Sequence, residues 1–332
     1  MILLRSVTEG TMTRVARHHR RADLAILFVS GVLGLMVAVA LVGAATGLYP
    51  SGGVPRPSSA GTPASQPAIL VGAGDIADCE SSADSLTGEL IAGTPGQAFT
   101  LGDNAPVGRP RDYAVCYGES WGSELHRTHP IVGNQDYSTD DGRWYFAYFG
   151  ARAGTAGYYS FDAGEWHVIV LNSECARVGG CGPGSRQGRW LAEDLATHRT
   201  TCTLALWHRP LVSSDRHEAD AELRPFWDAL YDAGVELVVN GHVHNYQRFA
   251  PQTPSLERDR RSGIRQIIAG TGGNQLQQLG EPIRNLEVQG RAHGVLLLRL
   301  YTGRYEWEFV PVRGESFRDS GQDTCHGAPT ES

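Results

Sequence analysis

Five times between residues 68 and 244 an apolar run stops abruptly and a cluster of Asp, Asn or His takes over. AILVGAGD ends at Asp75, AFTLGDN at Asp103 and Asn104, PIVGNQD at Asn134 and Asp136, TLALWHRP at His208, and VELVVNGHVH at His242 and His244. Continuous apolar runs of this length, bounded by turn residues, read as strands buried on both faces. Amphipathic helical stretches separate them: DSLTGELIA from residue 84, RQGRWLAEDLATH from 186, and AELRPFWDALYDAG from 221, the last closed by Gly234 as a C-terminal cap. Strands alternating with helices imply a helix-covered sheet, in which ligands collect outside the carboxyl ends of the strands. All five polar clusters fall there.

Two other segments alternate apolar and polar residues more cleanly. GYYSFDAGEWHVIVLNSE, with a turn near Ala163 and Gly164, and VLLLRLYTGRYEWEFVPV, turning near Gly303, read as antiparallel hairpins. The expected fold class is mixed α/β: a layered sheet covered by helices, with hairpins, no internal repeat and no second domain boundary.

The first 67 residues have another character. Residues 24–49 run without a charge behind the basic stretch 14–21, long enough to span a bilayer core of roughly 30 Å. The chain therefore divides into a basic N-terminus (1–23) expected to stay cytoplasmic, a transmembrane anchor (24–49), a Pro/Gly/Ser-rich linker (50–67), one domain (68–326) and a short tail (327–332). A long signal cleaved near VGAA is the competing reading; either way the domain is exported, membrane-held in the first case and secreted in the second. From residue 50 on, 24 Arg face 34 Asp plus Glu. Such an acidic domain is a poor non-specific binder of nucleic acid. There is no lysine anywhere in the 332 residues, which excludes Schiff-base chemistry and a Walker A loop. Six cysteines, all in the exported part, favour disulfides; proximity suggests only Cys175 with Cys181.

Asp75, Asp103, Asn134, His208, His242 and His244 bring six oxygen and nitrogen donors to strand ends. Carboxylates and imidazoles together suit Zn, Mn or Fe, and one shared carboxylate can hold two such ions about 3.5–4 Å apart. In this order and spacing, GDIAD, GDNA, GNQD, WHRP and GHVH resemble the calcineurin-like metallophosphoesterases. Among these the chain is similar to purple acid phosphatase-like secreted bacterial members, whose GYYSFD, WHVIVLNSE, RFAPQ and GTGG segments read alike. The similarity covers about residues 68–326. It implies a calcineurin-like layered β-sandwich flanked by helices, two metal ions of unstated identity, and a phosphate ester substrate. It also implies that Asp103 bridges the ions, that Asn134, His208 and His242 hold one, and that Asp75 and His244 hold the other. A hydroxide on the metals would then attack phosphorus in line, with no protein nucleophile.

Three positions depart from the family pattern. Many relatives carry Asp-x-His in the first motif, and purple members end GDxxY with tyrosine; here those positions are Ala77 and Pro106. One ion would keep only Asp75, Asp103 and His244 and would lack the tyrosinate that gives the purple colour. In the third motif Gln135 stands where relatives have a histidine thought to contact phosphate and protonate the leaving group. An amide donates a hydrogen bond but delivers no proton. Catalysis would thus rest on Asp103, Asn134, His208 and Gln135 without a general acid, unless His217 lines the mouth and takes that part. The rival reading is a catalytically impaired, membrane-tethered domain that binds phosphorylated ligands or a partner. Of the lesser motifs, Arg209 and Arg248 flank donors and are candidates for phosphate contact. GTGGN (270–274) reads as a glycine-rich turn or an anion cradle. GESWG (118–122) has no strand before Ser120, which argues against a serine esterase.

Overall fold

The computed structural model describes residues 66–215 and 219–327. The expected membrane span, most of the linker and His217 lie outside the described residues. Among those described, no helix is long and apolar enough to cross a membrane.

Two sheets are stacked face to face. The first contains β1 (Ala68–Ala73), β2 (Gln97–Thr100), β3 (Thr128–His129), β11 (Gly294–Tyr301), β12 (Arg304–Pro311) and β13 (Asp319–Thr324), in the order β13-β12-β11-β1-β2-β3. The second contains β4 (Tyr159–Ala163), β5 (Trp166–Val170), β6 (Thr203–Leu206), β7 (Leu237–Asn240), β8 (Tyr246–Phe249), β9 (Arg265–Ala269) and β10 (Leu286–Gly290), in the order β10-β8-β9-β7-β6-β5-β4. β1, β2 and β3 run parallel, as do β5, β6, β7 and β9; the flanking pairs are antiparallel. Both hairpins form where the alternation predicts, β4–β5 and β11–β12, the second turning at Gly303 with φ 74°.

The continuous apolar runs are explained by burial on both faces. Leu70, Phe99, Val168, Leu204, Leu206, Val239, Leu296 and Leu298 fill the space between the sheets. Their sequence neighbours point the other way. Val71, Ala73, Ala98 and Leu297 pack under the helix Ala83–Gly93 and an aromatic group that includes Tyr113, Tyr117, Tyr145 and Phe149. On the second sheet Ile169, Ala205 and Val238 meet Leu191, Phe226, Trp227 and Leu230 of the helices Arg186–Thr197 and Arg224–Asp232. The three helices expected from periodicity are present, and Gly234, with φ 76°, lies just past the end of the last one.

One run departs from expectation. PIVGNQD does not continue β3, which ends at His129. Pro130 has no N–H to extend the ladder. Beyond it the Thr100 hydroxyl takes over, accepting from Ile131 N at 2.9 Å, so the segment stays buried and fixed without strand pairing. Three disulfides close the domain: Cys175–Cys181 as expected, together with Cys79–Cys116 and Cys202–Cys325.

Candidate metal centre

The six donors follow five strand or strand-like segments, three from the first sheet and two from the second, so stacking the sheets brings them together. Close approach dictates the glycines that precede them. A Cβ at Gly102 would lie 2.4 Å from His208 Nδ1, and one at Gly133 would lie 2.2 Å from Asp103 Oδ1. Asp75, Asp103 and His242 hold φ values of 57°, 51° and 70°, a left-handed conformation that side-chain-bearing residues adopt at a cost of order 1–3 kcal/mol each. The chain turns sharply out of each strand to aim these side chains back across its end.

His208 Nδ1 donates to the Leu101 carbonyl at 2.7 Å, which fixes the ring and aims Nε2 inward. Around that nitrogen stand Asn134 Oδ1 at 3.1 Å, Asp103 Oδ1 at 3.3 Å and His242 Nδ1 at 3.1 Å. Donor atoms of Asp103, His208 and His242 lie within 4.8 Å of one another, close enough for one ion to touch all three. Asp103 is further held by Gln135 N, which donates to its Oδ1 at 2.7 Å.

Asp75 and His244 form the second group. Asp75 Oδ2 accepts from His242 N at 2.8 Å, tying this group to the first. Its Oδ1 lies 3.3 Å from His244 Nε2 yet is buried without a hydrogen bond. His244 Nδ1 donates to the Gln275 carbonyl at 3.0 Å, and its N–H donates to Gln277 Oε1 at 3.1 Å.

Charge makes the same demand as geometry. Burial alone would depress His208, but the Asp103 and Asp75 carboxylates outweigh it and push the imidazole up to about 10. Burial is likewise overcome at His244 by Asp75, which raises it to about 9. Burial, with the charges of His208 and Arg209 beside it, pushes His242 down to about 2. Two buried carboxylates cost several kcal/mol without neighbouring positive charge. Imidazole, carboxylate and amide oxygen suit borderline transition metals. The residues present fit a metal ion at the first group.

Sequence reasoning named Asp136 only as the end of a polar cluster, without a role, and did not single out Glu174. Asp136 is buried and accepts from Tyr113 OH (2.7 Å), Gly133 N (2.8 Å), Asn104 Nδ2 (2.9 Å) and Asn104 N (3.1 Å), cross-linking the second and third motifs. Its placement two residues after Asn134 in GNQD was the available signal. Glu174 accepts from Arg209 Nε at 2.7 Å, and Arg209 Nη1 lies 3.1 Å from His242 Nε2, so Arg209 borders the centre as expected. Arg248 does not: β8 carries it to Asp319 and Glu287, and it lies over the Trp307 ring. GTGGN is no cradle either. A Cβ at Gly270 would meet Asp75 Oδ2 at 2.6 Å, and Gly273 packs against the Ile76 carbonyl, so these glycines make room for the first motif. Ser120 Oγ donates to the Cys116 carbonyl at 2.8 Å inside a helical turn, as a nucleophile would not.

Comparison with known proteins agrees with this geometry. The family model for calcineurin-like phosphoesterases matches residues 63–246, more than half of the chain. Probable purple acid phosphatase 20 of Arabidopsis thaliana is 29% identical over 220 residues, covering 61% of this chain and 48% of that protein. Purple acid phosphatase 15 of the same plant is 31% identical over 148 residues, 43% of this chain and 27% of that protein. The chain thus spans about half or less of the length of these relatives. Among solved structures, a purple acid phosphatase from yellow lupin seeds superposes with a TM-score of 0.64 at 17% identity, over 80% of this chain and 57% of that one, which shows a shared fold.

Proposed function

The chain belongs to the calcineurin-like phosphoesterase family, and on that premise we propose that it hydrolyses phosphoric esters at a dinuclear metal centre. In this reading Asp103, Asn134, His208 and His242 would hold one ion, and Asp75 and His244, with Asp103 shared, would hold the other. The observation that carries it is the convergence of Asp103, Asn134, His208 and His242 from two sheets on one point, with the Asp75–His244 pair tied to them through His242 N. Bound there, the metal ions supply neutralisation of the phosphoryl charge and a water acidic enough to act as nucleophile near neutral pH.

The chain's own residues do the rest. Leu101 and Gln275 carbonyls lock the rings of His208 and His244. Arg209, braced by Glu174, presents a guanidinium beside His242 where a phosphate oxygen can accept from it. The Ser138 hydroxyl donates to Gln135 Oε1 at 3.2 Å, which leaves the Gln135 amide NH2 to donate to a substrate oxygen. No proton is available from that group, so departure of a basic leaving group goes unassisted. The absent histidine, together with Ala77 and Pro106, favours a second reading in which the centre binds phosphorylated ligands without turning them over.

Turnover separates the two. The full chain, loaded with Zn, Mn or Fe, is expected to hydrolyse p-nitrophenyl phosphate or its bis ester, and Asp103→Ala to abolish it. A folded, metal-loaded protein with no turnover on either ester would leave the binding reading standing.

A further inference from the structure

At the end of the second sheet away from the candidate metal centre, two strands and a helix bring a different donor set together. His167 is the second residue of β5 and pairs in register with Thr203, which opens β6; the far end of β6 leads to His208. Asp194 and His198 stand four apart, in the last turn and at the C-cap of the helix Arg186–Thr197, so they share a face. Packing of the helix on the sheet sets Asp194 Oδ2 2.7 Å from His167 Nε2, with His198 Nδ1 3.3 Å from Asp194 Oδ1. Donor atoms of the three side chains lie within 4.8 Å of one another.

The surroundings are those of a ligand set. His167 and Asp194 are buried while His198 is exposed, which leaves one side open to solvent. The other ring nitrogen of His167, Nδ1, lies 3.1 Å from Oδ1 of Asp162, its cross-strand partner on β4. A carboxylate behind an imidazole holds the ring's orientation, keeps the proton on that side and makes the opposite nitrogen a stronger ligand. Ser160 Oγ donates to Asp194 Oδ1 at 2.7 Å and so orients the carboxylate. Two carboxylates with two neutral imidazoles carry two negative charges, which one divalent cation balances; without a metal, a proton on His167 supplies half of that. His198 is stacked on His167 at 4.3 Å with Nδ1 3.0 Å from the Asp194 carbonyl, so its ring must turn to ligate an ion, and its exposure leaves it room.

We propose that His167 Nε2, a carboxylate oxygen of Asp194 and His198 hold a zinc ion, with water completing a tetrahedral set, at a site apart from the phosphoesterase donors and independent of that reading. Imidazole with carboxylate suits zinc, whereas calcium and magnesium take oxygen donors. Zinc takes the lone pair of His167 Nε2, the proton held there leaves to solvent, and the Nδ1 proton stays on the side of Asp162. With three protein ligands and one water the ion is exchangeable, and it fastens the carboxyl end of the helix to the β4–β5 hairpin. Zinc in the surroundings then stabilises the folded chain by mass action.

The probe is zinc added to the chelator-stripped full chain at about pH 8, where a free imidazole is neutral, with bound zinc counted by metal analysis and the melting temperature followed. The parent is expected to retain one zinc equivalent more than His198→Ala, and to gain more in melting temperature at the same zinc concentration. Asp162→Asn, an exposed change that leaves all three ligands in place, is expected to weaken that extra equivalent about tenfold or more. Because the phosphoesterase donors are intact in both variants, the difference between the counts belongs to this site. Equal zinc counts and equal thermal shifts in parent and His198→Ala overturn the proposal. Should His198→Ala not fold, zinc-edge anomalous scattering from zinc-soaked crystals of the parent decides: a peak bonded to His167 Nε2 and Asp194 upholds the site, and no peak there overturns it.

Discussion

On the proposed reading, a single side chain, Gln135, limits which leaving groups the centre can release. General acid catalysis is worth about 10² to 10⁴ in rate, and its loss is felt most by leaving groups too basic to depart unprotonated. We therefore expect Gln135→His to raise kcat/KM for an alkyl phosphate by about 10² or more, and for p-nitrophenyl phosphate by about tenfold or less. Equal gains on the two esters, measured across a leaving-group series, would sink this account. Residue identities of this kind were legible in the sequence, because glycine, donor type and order are chemical facts of the chain. The burial of Asp75 Oδ1, 3.3 Å from His244 Nε2, was not, since the environment of one oxygen exists only after two sheets have packed.

Between residue and fold stands the strut at Asp136. All four of its partners are donors, so the carboxylate is matched on every side. Asp136→Asn would turn an NH2 group toward donors, and the mismatch should cost about 2–3 kcal/mol, read as a lower urea midpoint. An unchanged midpoint would mean that the strut is replaceable. Strands, hairpins and amphipathic helices were readable from period alone. The helix Arg143–Phe149 was not: RWYFAYF is aromatic on nearly every face and gives no clean stripe. Nor were the π and 3₁₀ turns over 112–127, where residues of every type are mixed. The two-sheet sandwich was implied by the resemblance, but which strand joins which sheet was hidden, because runs buried on both sides do not say which sheet they join.

At the scale of the whole molecule, a buried ion-pair group far from the metal donors gives stability its own pH dependence. His167 is paired through Nε2 to Asp194 at 2.7 Å and through Nδ1 to Asp162 at 3.1 Å, with His198 stacked on its ring at 4.3 Å. Burial opposes the imidazolium, but Asp194 and Asp162 outweigh it and raise His167, while burial at Asp194 is outweighed by His167 and Ser160, which lower the acid. A raised His contributes fully below its unfolded pKa near 6.5 and loses that contribution as pH climbs through the folded value. A lowered Asp contributes above about 4 and loses it on acidification. We expect the melting temperature to fall more in the parent than in His167→Gln between about pH 5.5 and 8. Parallel curves would remove His167 from the account. The topology also dictates an order of assembly. β1, which delivers Asp75, is the third strand from one edge of its sheet and bonds on one side to β11, more than 220 residues later in the chain. While the chain is being made, that side of β1 has no partner until synthesis passes residue 301, so the centre cannot close early. A chain clipped before β11 would carry every donor and still present β1 as a bare edge, open to pairing with another copy.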